Sequence, residues 1–115
     1  MSIKIIKELI SKNDLREIAK DQFGDMVKAV VDIKQGIMAI GGELHADEEA
    51  VMIENGSRQH NLWGINLYPD ILGEDWIEFN SMINIRPSQG NKTRGIEDQK
   101  IQHKIREIVA KLIPN

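Results

Sequence analysis

Apolar residues recur along this chain with two different periods, and the alternation between helical and extended stretches predicts an α+β fold. Near the C-terminus, Ile101, Ile105, Ile108 and Leu112 fall at i, i+4, i+7 and i+11, the stripe of an amphipathic helix. Glu97 and Asp98 stand at the positive end of its dipole, Lys111 stands near the negative end, and Pro114 lies beyond. A first helix is marked by the capping signal Ser11-Lys12-Asn13-Asp14. Leu15, Ile18, Ala19 and Gln22 or Phe23 then follow at helical spacing, and Gly24 supplies the stop.

The extended stretches are shorter. Ile3 to Ile6 reads as an edge strand, and Met26 to Ile33 is valine-rich without a helical period. Lys34-Gln35-Gly36 turns that strand into an antiparallel partner starting at Ile37. Glu49 to Glu54 fits either a helix or a buried strand. Asn55-Gly56 favours the strand as a hairpin signal, although Gly56 fits a helix C-cap equally well. Leu62 to Tyr68 follows as the hairpin partner and is broken by Pro69-Asp70. From Asp75 to Arg86 the pattern alternates: Ile77, Phe79, Ser81, Ile83 and Ile85 share one face, predicting a strand with a core side and a mixed side. The expectation is a mainly antiparallel sheet of about five strands. The N-terminal and C-terminal helices pack on one face, and the other face is at least partly wet.

Bulk properties narrow the class. With 115 residues, 41% of them hydrophobic and 29% charged, the chain is expected to form a single domain, residues 1–115, with a real core. No run approaches the ~20 apolar residues of a membrane span. Lys4, Lys7 and Glu8 interrupt the N-terminal stretch, arguing against a signal peptide and for the cytoplasm. The absence of cysteine removes disulfides and sulfur-ligated metals. Charge is segregated: Glu43 to Glu78 holds nine acidic residues and one basic, whereas Arg86 to Lys111 holds seven basic and three acidic. The two regions are expected to neutralise one another within the monomer or across a homo-oligomer, or else to draw charged ligands.

Three groups of residues carry candidate chemistry. Read as a strand, Gly41 to Asp47 places Glu43, His45 and Asp47 on one face, a nitrogen and oxygen donor set for a divalent metal. The same pattern also fits a solvated strand end. Arg86 to Gly95 combines Arg86, Lys92 and Arg94 with polar side chains and two glycines, as an anion clamp would, or a plain connection. Trp63 and Tyr68 flank Gly64, which permits close approach of a ligand or another segment, while Trp63 reads best as core. The sparse aromatics and acidic surroundings argue against nucleic acid, and no serine has an identifiable histidine partner.

The phrases Gly36 to Asp47, Asn55-Gly56-Ser57, Trp63-Gly64-Ile65-Asn66, Ser81 to Pro87 and Gln89-Gly90-Asn91 resemble a small prokaryotic single-domain family of unknown function. That resemblance implies one stand-alone domain and transfers no activity or cofactor. Residues alone lead first to a binding module for a polar or anionic small ligand, with Glu43, His45, Glu78, Asn84, Arg86, Asn91 and Arg94 around the site. The alternatives are a metal-dependent hydrolase using Glu43, His45 and Asp47, and a protein–protein interaction module.

Overall fold

The computed structural model describes residues 2–114. Strands β1 (Lys4–Ile6), β2 (Val27–Asp32), β3 (Ile37–Ile40), β4 (Leu62–Leu67) and β5 (Ile77–Glu78) form one antiparallel sheet in the order β1-β3-β2-β4-β5. Helices α1 (Lys12–Asp21), α2 (His45–Glu54) and α3 (Gln99–Leu112) complete the α+β fold. The class, the strand number, the edge position of β1 and the β2–β3 pairing agree with the sequence pattern. Two stretches depart from the expected strands: residues 49–54 are helical, and the strand expected over 75–86 extends only over Ile77–Glu78.

On the first face the hydrophobic pattern holds. Ser11 and Asp14 form a complete capping box at α1, and Asp98 accepts from the Lys100 N–H at α3. Both helices press their apolar stripes on alternate residues of β2: Leu15, Ala19, Ile105, Ile108 and Leu112 join Val27, Ala29 and Val31 in one buried cluster. Trp63, Ile65 and Leu67 of β4 face the same way, because they pair in register with Val31, Ala29 and Val27. Burying each large apolar side chain contributes roughly 1.5–3 kcal/mol.

The intervening residues face the other side, which α2 largely covers, leaving Ile5, Lys28 and Ile37 half-buried. Val30 and Ala39 meet Met52 of α2 and Leu62 in a second buried cluster. Residues 49–54, expected as a strand turning through Asn55-Gly56, therefore form the second half of α2. Gly56, at φ +101°, follows the last turn as its C-terminal stop. Periodicity failed here for a definite reason. The buried positions of α2 are His45, Glu48 and Met52, at i, i+3 and i+7, and only one of them is apolar.

The long strand expected over 75–86 is also corrected. Only Ile77–Glu78 pairs with β4, opposite Leu67 and Asn66. Ser81 then accepts from the Ile83 N–H and a 3-10 turn forms over Met82–Asn84. Side chains now take the place of a strand along the free part of β4. The Asn84 carboxamide accepts from the Gly64 N–H at 2.8 Å and donates to the Gly64 carbonyl at 2.9 Å, as a neighbouring peptide group would. One step along, Arg86 donates to the carbonyls of Leu62 and Gln59. Gly64 is required at this point, since a Cβ there would lie 2.6 Å from Ser81 Cβ and Oγ. The β4 edge is thus covered rather than left as a template for another chain.

Candidate functional site

The residues expected to form a metal face do not share one. His45 opens α2 behind its N-cap Leu44, while Glu43 precedes the cap, so the two-residue period of a strand does not apply. His45 is buried, whereas Glu43 and Asp47 are exposed. Among the described residues, no three His, Asp or Glu side chains are grouped so as to hold a metal ion. His45 Nε2 lies 2.8 Å from the Ile65 carbonyl. Burial depresses the imidazole pKa to about 4; the Ile65 carbonyl opposes this, and Lys28 and Arg94 add to it. It is therefore neutral at pH 7, and the ring N–H at Nε2 donates to Ile65. One turn on, Glu48 is fully buried and its Oε2 accepts from the Gly42 N–H at 3.0 Å, while Oε1 is buried without a partner. Burial raises this carboxyl to about 9, with the Gly42 N–H acting in opposition. Gly42 leaves the necessary space: a Cβ there would stand 2.7 Å from Glu48 Cγ.

The other expected ligand residues are held by the protein itself. Glu78 accepts from Asn66 Nδ2 at 2.9 Å and from the Tyr68 hydroxyl at 3.1 Å. Asn84 also donates to the Arg94 carbonyl. Asn91 ties the loop together, donating to the carbonyls of Asn84, Thr93 and Gly95 and accepting from the Glu97 N–H. The Arg86 guanidinium stacks 4.1 Å from the Trp63 ring centre while bonding to backbone carbonyls. Burial lowers its pKa, opposed by Glu49. Asn84, Arg86 and Asn91 do come together, but around the main chain rather than around an open cavity. Trp63 is core as expected, although its ring N–H has no partner. A further buried carboxylate, Asp32, accepts from Ser57, from the Gln35 side chain and from two turn N–H groups. Burial pushes it up, yet these bonds outweigh burial and hold it below the usual range.

Open space lies on the other side of the sheet. A groove of about 510 Å³ runs between the start of α1, the segment before β5 and the second half of α3. Its apolar surface comes from Leu72, Trp76, Ile77, Ala110, Ile113 and Pro114, and its cations are Lys12 and Arg106. Lys12 Nζ sits 4.4 Å from the Trp76 ring centre. Arg106 Nη1 donates to the Glu74 carbonyl at 2.9 Å and its guanidinium carbon lies 5.1 Å from the Phe79 ring. Glu74 is the one acidic residue of the lining. Neither cation has an ion pair among the described residues. Lys12, Trp76 and Arg106 stand 30 to 94 positions apart in the chain. No local spacing announces them.

These features define a small α+β protein with a cationic, aromatic-floored groove on one face and a network of internally bonded polar side chains on the other. The chain belongs to the family described as "Protein of unknown function (DUF5674)", whose model matches residues 4–112. No curated protein and no solved structure matches it. No helix among the described residues is long and apolar enough to cross a membrane.

Proposed function

We propose that this protein is a binding module for small organic anions, with the groove at Lys12, Trp76 and Arg106 as its site. The observation that carries this reading is the pairing of two cations that lack carboxylate partners with a concave aromatic and aliphatic floor. An anion there gains charge-assisted hydrogen bonds from the rim, and its carbon skeleton leaves water against Trp76 and Ile77. Arg106 is already oriented by the Glu74 carbonyl, so less side-chain entropy is lost on binding. The polar ligand expected from the sequence is kept in this reading, and its place moves from the Arg86–Arg94 loop to the opposite face.

Benzoate is a suitable probe. Thermal unfolding with benzoate at about ten times its dissociation constant should show a stabilisation of about 1.4 kcal/mol, a rise of roughly 5 °C in Tm. The rise should disappear in the Lys12→Met/Arg106→Met double variant. An unchanged Tm at saturating concentrations, or an equal rise in the double variant, contradicts the assignment.

A further inference from the structure

A feature of the groove rim narrows the ligand class, on the condition that the groove is the binding site. Leu72 lines the groove yet is 90% exposed, more than any other large apolar side chain among the described residues. A single exposed leucine is ordinary by itself. Its setting is not. On one side the chain is closed into a turn by the Ile71 N–H bond to the Tyr68 carbonyl. Arg16 holds that turn to α1 through the Asp70 carboxylate at 2.7 Å and the Pro69 carbonyl. On the other side the Glu74 carbonyl is held to α3 by Arg106. Between these anchors stand Ile71, Leu72 and Gly73, all exposed. Gly73 has φ +78°, a conformation that favours glycine, and open space surrounds the position a Cβ would take.

We infer that Leu72 is the specificity element of this site: it folds over the non-polar body of a bound carboxylate, so the groove selects anions with an extended acyl or aryl portion. The strap is short and pinned at both ends, so closure requires only local dihedral changes about Leu72 and Gly73. Closing it removes Leu72 and the ligand's carbon chain from water together, a gain that a compact anion does not provide.

Titration calorimetry with acetate and octanoate tests this. Octanoate should bind at least about tenfold more tightly than acetate, since each buried methylene is worth roughly fourfold and the groove is open on one side. Leu72→Ala should remove most of that advantage while leaving acetate affinity and Tm unchanged, because the side chain is in water before binding. Octanoate and acetate affinities within twofold of each other, or a Leu72→Ala variant that keeps the full preference, overturn the role of Leu72 while leaving the groove as an anion site. If neither anion binds, the proposed function fails and this inference fails with it.

Discussion

The two faces of the sheet meet the same demand, covering a strand's worth of apolar surface, with different materials. On the α1/α3 face the cover is aliphatic, with Ile105, Ile108 and Leu112 seated on Val27, Ala29 and Val31. On the α2 face the apolar cluster is small, and His45 and Glu48 bond to main chain across the join, while Asn84 and Arg86 do the same along the neighbouring β4 edge. Conspicuous polar residues here serve as structural cement. The face that carries the more ordinary sequence pattern is the one left with an open, charged groove.

The largest effect should come from the aliphatic face. Ile105 is fully buried, so Ile105→Ala removes three carbons from a packed cluster and should cost about 3–4 kcal/mol in urea unfolding. A loss below about half a kcal/mol would show that α3 does not dock as described. Next comes the strand substitute. Asn84→Ala leaves the buried N–H and carbonyl of Gly64 without their partners, and about 2–3 kcal/mol should be lost. If the cost equals that of an exposed site, the carboxamide is not completing the sheet.

The α2 face should also be recognisable by its pH dependence. Between its ordinary value of 4.5 and about 9, Glu48 holds a proton in the folded chain that the unfolded chain releases, so stability falls as pH rises. His45 acts oppositely: between about 4 and 6.5 the unfolded chain takes up a proton that the folded chain lacks, so stability rises with pH there. The two slopes cancel between about 4.5 and 6.5. A decline of about 1.4 kcal/mol per pH unit remains above that window, until the folded carboxyl itself titrates. Glu48→Gln should abolish this decline and expose the rise due to His45. A wild-type profile that stays flat from pH 6.5 to 9 would place Glu48 in water instead. The smallest stability effect, near zero, belongs to Leu72→Ala on the groove rim.

How legible each region was follows from the same contrast. Helices α1 and α3 were readable because their buried positions are apolar and their caps are local. The β2–β3 hairpin was readable because its turn is four residues long and ends in a glycine. Helix α2 was not, since a neutral histidine and a protonated glutamate occupy its buried stripe and look polar to any hydrophobic count. The segment after β5 alternates like a strand, and Ile77 and Ser81 are indeed buried, but Asn84 replaces the strand by a side chain. That substitution depends on a contact twenty residues away. Glu43, His45 and Asp47 were legible as chemistry only under a strand reading that α2 removes. The groove was illegible because α1, α3 and the segment before β5 must be folded together before Lys12, Trp76 and Arg106 meet.

The claim that the open chemistry of this protein lies on the α1/α3 face is tested most directly by amide and indole NMR spectra during an octanoate titration. Saturable shifts should be concentrated at the Trp76 indole, Leu72, Gly73, Ala110 and Ile113, while the amides of His45, Asn84, Asn91 and Arg94 remain unchanged. Shifts centred instead on the α2 face, at His45 and the Arg86–Arg94 loop, or no saturable shifts at all, would contradict the account.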